Sequence, residues 1–235
     1  MMSSVLLYFF GDIDVRTCDE ILTAAGSARL AGPTQLSYEF NTTNVEIDLD
    51  EGSVAIYSVL SAEESVTLSL QDFIAACRLF KMSIEEFYNL AREQFFRVVH
   101  PLGFTVWRFV RTGAVTFRAT YEQESLGIVL EYDFSEQIVR AYIALLGLTG
   151  DPIDYEEISA GRLAASEGFD LEGLAQAHHL LSQHTTTTAD TTAEEILSNI
   201  RLQVEYYESL FREYGHLILN RARERFHLPS IDVPQ

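Results

Sequence analysis

The chain has 235 residues, of which 47% are hydrophobic and 22% are charged, and its formal net charge is −19. A chain of this size and composition can bury a core without disulfides, and its negative charge repels nucleic-acid backbones and anionic membranes. No apolar run reaches the roughly 18 residues of a membrane span, and no basic residue precedes the first apolar stretch, as a secretory signal would require. We expect a cytoplasmic protein with no nucleic-acid or membrane partner.

The two cysteines, Cys18 and Cys77, are too few for a disulfide framework and predict buried free thiols, with one disulfide between them as the alternative. The charge is uneven along the chain. Residues 1–80 hold 12 acids and 3 bases and residues 147–235 hold 15 acids and 6 bases, whereas residues 81–146 are nearly neutral. Such acidity attracts basic partners, although acidity that only maintains solubility is an alternative interpretation.

The first 30 residues predict a strand followed by a helix. Residues 5–10 form a short apolar run, which we interpret as a first β-strand. A helix is predicted over 17–25, because Thr17 can cap its first turn and Gly26 can end it.

Residues 35–50 alternate in polarity on both sides of 41–44, which predicts a β-hairpin with a four-residue loop. In this register Glu39 lies opposite Glu46, a like-charge pair that costs up to about 1 kcal/mol. One face is apolar and the other acidic, and a further strand is predicted over 53–60. The acidic face is the candidate partner-binding surface, with a solvated face or a metal site as alternatives. Its residues are Glu39, Glu46, Asp48 and, in the following turn, Asp50.

Two helices are predicted next in the chain. The first runs over 70–80 and is capped by Ser69, and the second runs over 84–99 with Ser83 and Glu86 as a capping box.

Two hairpins follow the helix-ending sequence HPLGF at 100–104. The first turns at residues 112–113. The second spans 126–145 and places Glu131 opposite Arg140. We interpret Glu131 as one half of a cross-strand ion pair rather than as a catalytic carboxylate, because opposite charges placed this way pair on solvated sheet faces.

No clear strand is predicted beyond the second hairpin. Residues 151–170 are interpreted as a polar loop with a short helix, 171–182 as a helix and 184–192 as a low-complexity loop. Thr192 caps the longest helix, over 193–226, whose apolar stripe is interpreted as core. The stripe consists of Ile196, Ile200, Val204, Tyr207, Phe211, Tyr214 and Ile218. The sequence thus predicts an α+β domain over 1–146, with antiparallel hairpins and helices on one face of the sheet, and a helical region over 147–235 packed on it.

Sequence motifs for catalysis are absent. The chain has no nucleophile elbow, no phosphate-binding loop and no dinucleotide-binding loop. The histidine cluster His178, His179 and His184 lacks zinc-ligand spacing, so we interpret it as surface or partly buried histidines. We predict a protein that is not an enzyme and that holds no cofactor and no metal.

Three features resemble a known group of proteins. They are the turn HPLGF at 100–104, the stretch YEQESLGIVLEYD at 121–133, and the long amphipathic helix near the C-terminus. Together they resemble bacterial immunity proteins of polymorphic toxin systems, mainly over 84–146 and more loosely over 193–226. The resemblance implies an acidic, cytoplasmic, non-enzymatic protein that binds a toxin domain and blocks its active site.

The leading hypothesis is therefore an immunity-type binding protein that neutralises a basic toxin domain. Three alternatives stay open: an enzyme whose site is assembled from distant residues, a DNA-mimicking inhibitor, and a structural subunit of a larger assembly. In the last case the long C-terminal helix would be the seam of a homodimer.

Overall fold

The computed structural model describes residues 3–31, 34–61, 63–159 and 192–229 of the chain. Within that part the helices and two antiparallel sheets form an α+β fold, which confirms the predicted fold class. The helices are α1 (Ser4–Asp12), α2 (Val15–Ala31), α3 (Leu70–Asn89), α4 (Phe96–Val99) and α5 (Ala193–Arg225). A π-helical turn (Leu90–Phe95) joins α3 to α4, and a 3-10 turn (His100–Leu102) follows α4.

Each sheet is a meander in which every strand pairs with its neighbours along the chain. The first sheet consists of β1 (Gln35–Glu39), β2 (Thr43–Asp48), β3 (Ser53–Ser58) and β4 (Ser65–Ser69). The second consists of β5 (Val106–Arg111), β6 (Thr116–Gln123), β7 (Leu126–Asp133), β8 (Ile138–Leu146) and β9 (Pro152–Ile158).

The described chain divides into two compact units. The first holds the residues up to Glu85 together with two hairpin tips, 111–116 and 134–136, and the second holds the remaining residues. The sequence placed a boundary after residue 146, whereas β9 continues the second sheet beyond that point. The prediction that no strand follows residue 147 is therefore wrong.

Helix α1 occupies the stretch that the sequence predicted as a strand, so that prediction is wrong. The hydroxyl of Ser3 accepts a hydrogen bond from the Leu6 amide at 3.3 Å and caps the helix. The buried residues Val5, Leu6, Phe9 and Phe10 recur at helical spacing. A six-residue apolar run does not by itself distinguish a strand from a buried helix.

Helix α2 is longer than predicted at both ends. Its cap is Asp14, whose carboxylate accepts a hydrogen bond from the Thr17 amide at 2.7 Å, and Gly26 lies inside the helix. That hydrogen bond holds the pKa of Asp14 below its ordinary value. Thr17 and Gly26 were therefore wrongly predicted as the two ends.

Asp12 ties the end of α1 to the turn between β1 and β2. Its Oδ2 accepts hydrogen bonds from the Thr42 amide at 2.9 Å, the Thr42 hydroxyl at 2.8 Å and the Thr43 hydroxyl at 2.8 Å. Thr43 is fully buried, so its hydroxyl depends on this acceptor. A second tie comes from Arg111, which donates to the carbonyl of Phe10 in the last turn of α1 and to that of Ile13, the residue that follows the helix.

The register of the first hairpin differs from the prediction by two residues. Tyr38 pairs with Val45, Ser37 with Glu46, and Glu39 with Asn44. The Phe40 amide donates to the Thr43 carbonyl at 2.9 Å, which closes a two-residue turn instead of the predicted four-residue loop. The predicted repulsion between Glu39 and Glu46 is therefore removed, while each side chain keeps its predicted face.

Helix α3 runs without a break through residues 80–84, where the sequence predicted one helix to end and a second to begin. Ser69 caps it as predicted, because its hydroxyl accepts a hydrogen bond from the Asp72 amide at 3.1 Å. Ser83, predicted to begin a second helix, is instead fully buried inside α3. The capping-box prediction for Ser83 and Glu86 is therefore wrong.

The β7–β8 hairpin has the register that the sequence predicts. Glu131 lies opposite Arg140, and Tyr132 opposite Val139. Strand β9 pairs with β8 only from Ala141 onward. The Val139 amide lies outside this pairing and needs a hydrogen-bond acceptor from elsewhere.

Gln203 on α5 satisfies the Val139 amide through its Oε1, at 2.8 Å. Its Nε2 donates to the carbonyls of Gln137 at 3.1 Å and of Asn199 at 3.3 Å. Gln203 is 2% exposed, so this amide group bridges the helix and the strand within the second unit.

Helix α5 begins and packs as predicted. Thr192 and Glu195 form a reciprocal capping box, and all seven predicted stripe residues are buried. One chain therefore buries this stripe by itself, and the homodimer through the long helix stays a prediction.

We expect Asp12→Ala to lower the free energy of unfolding by about 2–4 kcal/mol, since it leaves the buried Thr43 hydroxyl without its acceptor. Urea denaturation measures the change. Asp50→Ala, which removes an exposed acid from a turn, is the matched control and should change stability by under about 0.5 kcal/mol. Equal losses in the two variants would contradict the role given to Asp12.

Asp14→Ala should lower stability by about 1 kcal/mol at neutral pH, the usual value of a helix cap. Because the folded pKa of Asp14 lies below its unfolded value, this stabilisation is complete above the unfolded pKa and is lost as the pH falls through the folded pKa. Denaturation curves of the two proteins should therefore converge at acidic pH, and a constant difference down to about pH 2 would contradict this account.

Gln203→Ala should cost about 2–4 kcal/mol and speed hydrogen exchange at the Val139 amide. Gln203→Glu should also destabilise the fold, because its second oxygen would face the carbonyls of Gln137 and Asn199. Glu205→Ala, an exposed change on the same helix, is the control. Unchanged exchange at Val139 in Gln203→Ala would exclude the proposed bridge.

Candidate functional site

The outward face of the first sheet is the candidate site. Its central row runs across all four strands through Ser37, Glu46, Ala55 and Thr67. The flanking rows are Gln35, Asp48, Ser53 and Ser69 on one side and Glu39, Asn44, Tyr57 and Ser65 on the other. We call these three rows the acidic face.

Strand alternation produces this face. Along β2 and β3 the side chains of Val45, Ile47, Val54 and Ile56 are buried, so their neighbours in the sequence must point outward. Each outward residue is polar or small, except Tyr57, which is 42% exposed.

The structure brings two of the four predicted residues together. Glu46 and Asp48 lie two residues apart on β2, and both line a shallow depression of about 380 Å³. Glu39 lies on the same face but opposite Asn44, at the edge strand β1. Asp50 is exposed in the turn after β2 and does not line the depression.

Glu51 and Tyr57 are among the lining residues of the depression that the sequence analysis did not name as site residues. The hydroxyl of Tyr57 donates to Glu46 Oε2 at 3.4 Å. The Glu51 amide donates to Asp48 Oδ1 at 2.8 Å, which turns the chain back toward the sheet. Extending the alternation of residues 35–50 into 53–58 would have placed Tyr57 outward.

Hydrogen bonding keeps Asp48 ionised. The Glu51 amide and the Gln35 side chain, the latter at 3.2 Å from Oδ2, both lower the pKa of Asp48. A carboxylic acid that transfers protons at neutral pH needs the opposite shift. Asp48 is therefore suited to holding a cation by charge.

The surrounding sequence reinforces the negative charge of the acidic face. From Leu30 to Cys77 the chain carries eight acidic residues and no lysine, arginine or histidine. That stretch therefore supplies no base to neutralise Glu46 or Asp48, and neither carboxylate forms an ion pair with a residue that the structure describes.

Glu131 does not lie on an open solvated face, because its side chain is 18% exposed. Its Oε2 accepts hydrogen bonds from Arg118 on β6, at 2.8 and 3.2 Å. The interpretation of Glu131 as an ion-pairing residue fits this geometry, with Arg118 as a partner that the sequence analysis did not name.

Other predicted groups offer no second site in the described part of the chain. Cys18 and Cys77 are both buried free thiols, as predicted, and Cys18 donates to the Cys77 carbonyl at 3.2 Å. His178, His179 and His184 lie outside the described residues. Among the described residues there is no group of three or more histidine, cysteine or acidic side chains arranged to hold a metal.

Two further findings concern the helices and the comparison of the chain with known proteins. In the described ranges, no helix combines the length and the apolar character needed to cross a bilayer. Comparison of the chain with protein-family models, with curated proteins and with solved structures found no match.

Proposed function

We propose that this protein is an acidic cytoplasmic binding protein that neutralises a basic partner, most specifically a toxin domain, by covering its active site. The observation that carries the proposal is the acidic face. It combines carboxylates on paired strands with a stretch of sequence, Leu30 to Cys77, that contains no base. The resemblance of 84–146 to immunity proteins points to the same class of function.

The geometry of the acidic face suits an arginine or lysine side chain. Glu46, Asp48 and Glu51 surround the depression, and Ala55 leaves room for the aliphatic stem of an entering side chain. The ring of Tyr57 offers a face on which a guanidinium can stack. Bidentate pairing between a guanidinium and a carboxylate would fix the orientation of the partner.

Electrostatics favours rapid binding. The neighbouring charges of Glu46 and Asp48 repel each other in the free protein, and a cationic partner relieves this repulsion when it binds. The protein's net charge of −19 also raises the rate at which a cationic protein encounters it, and this effect weakens as salt is added.

Proton-transfer chemistry has no comparable support. The pKa of Asp48 lies below its ordinary value, which opposes a role of this carboxyl group as a general acid. We therefore retain binding, without catalysis, as the function of this face.

The test is a charge reversal on the acidic face. We expect Glu46→Lys with Asp48→Lys to slow association with a cognate basic protein by about 10-fold or more and to flatten its salt dependence. Basic proteins captured from the native host by the unaltered protein are compared between variants by quantitative mass spectrometry, and association rates are then measured by biolayer interferometry between about 50 and 300 mM salt.

The matched control is Glu93→Lys with Glu213→Lys, an equal change of charge at two exposed positions of the second unit. Capture should survive in this control. If both double variants lose the same proteins equally, net charge and not the acidic face directs binding. If neither double variant loses a captured protein, the proposal fails.

A further inference from the structure

A groove of about 530 Å³ lies in the second unit, between α5 and the segment that runs from the π-helical turn through α4 to the 3-10 turn. It is remote from the acidic face in sequence and has different chemistry. Its lining includes Gln94, Arg97, Leu102, Phe211, Arg212 and His216. A volume of this size lies within the range of small-molecule sites.

The walls of the groove are fixed by packing. Phe95 of the π-helical turn meets Phe211 of α5 edge to face, with ring centroids 5.4 Å apart. At Gly215 a Cβ atom would lie 2.7 Å from Leu102 Cδ1, so glycine lets the 3-10 turn approach α5. The π-helical turn inserts an extra residue into the helix, a feature that often occurs at functional sites.

Basic side chains are concentrated at this groove, although the chain as a whole is strongly acidic. Arg97, Arg212 and His216 line it. Arg212 binds Glu208, which also lines the groove. Arg97 forms no hydrogen bond or ion pair with any residue in the described ranges, so its guanidinium retains its full capacity for an anion.

Gln94 provides an independent indication of a ligand. It lines the groove, and its Oε1 is buried without a hydrogen-bond partner among the residues that the structure describes. A buried carbonyl oxygen without a donor is costly, and a rotation of the Gln94 side chain toward the groove would let a ligand hydroxyl or amine satisfy it.

We infer that this groove binds a small carboxylate that carries a hydroxyl or amino group beside the carboxylate and a short apolar body. The carboxylate pairs with Arg97 and Arg212, the neighbouring donor meets Gln94 Oε1, and the apolar body lies against Leu102 and Phe211. Because Glu208 contributes a negative charge, a monoanion fits better than a doubly charged phosphate. This site is separate from the proposed partner-binding function and does not depend on it.

Isothermal titration with three related probes tests the inference on the full chain. Mandelate carries the carboxylate, the hydroxyl and an apolar ring, phenylacetate lacks the hydroxyl, and 2-phenylethanol lacks the charge. We expect saturable binding in the order mandelate, phenylacetate, 2-phenylethanol, with a millimolar or lower Kd for mandelate, on the order of 4 kcal/mol of binding free energy.

Single substitutions test which side chains of the groove contact the probe. Arg97→Gln should weaken mandelate binding about 10-fold, and Gln94→Leu should remove the advantage of mandelate over phenylacetate. Arg221→Gln, an exposed change on α5 that does not line the groove, should leave the binding of mandelate and phenylacetate unchanged. Circular dichroism checks that each variant is folded.

The inference is overturned if no probe binds saturably. It is also overturned if Arg221→Gln weakens the binding of mandelate as much as Arg97→Gln does. Tighter binding of phenyl phosphate than of mandelate would overturn the assignment to carboxylates. None of these results depends on the acidic face, so they leave the proposed function to its own test.

Discussion

The two-residue period of a β-strand is the constraint on which the site depends. In the first sheet, burial of Val45, Ile47, Val54 and Ile56 on one face forces Glu46, Asp48 and Tyr57 onto the other. The core therefore determines where the charge lies. A slip of one residue would bury the carboxylates and expose the core, so the acidic face is fixed as firmly as the fold itself.

The same period explains which parts of the sheets could be predicted. Alternation identifies faces, so the predicted sides of Glu39, Glu46 and Asp48 hold although their cross-strand partners do not. A shift of two residues leaves every side chain on its face, and the turn then decides the register. At 41–42 the turn is tighter than the sequence indicated. The β7–β8 register was predicted correctly because the length of its turn and the alternation along its strands indicate the same pairing.

The helices show a different limit. Helix α5 was predicted correctly because its apolar residues recur at helical spacing over many turns and because the capping residue Thr192 directly precedes them. The short run at 5–10 does not distinguish between a helix and a strand, and Ser83 resembles a cap but is buried inside α3. Strand β9 was missed because its residues 153–157 are mostly polar and exposed, as expected of an edge strand.

The candidate site and the groove have opposite charge preferences, which the sequence could not reveal. Four acids near one hairpin were visible as a pattern, whereas Gln94 and His216 are more than 100 residues apart and line one groove only because Phe95 packs on Phe211. Such assembly from distant residues leaves no local signal. The two proposed sites therefore differ in the charge of the partner that each would accept.

The central claim is that the acidic face meets a cationic protein, and a hydrogen-exchange footprint of the complex tests it most directly. Mass spectrometry of the protein with and without its captured partner compares backbone protection along the chain. The account predicts that protection increases in β1, β2 and β3, over residues 35–58. Protection confined to the second unit, with 35–58 unchanged, would contradict it.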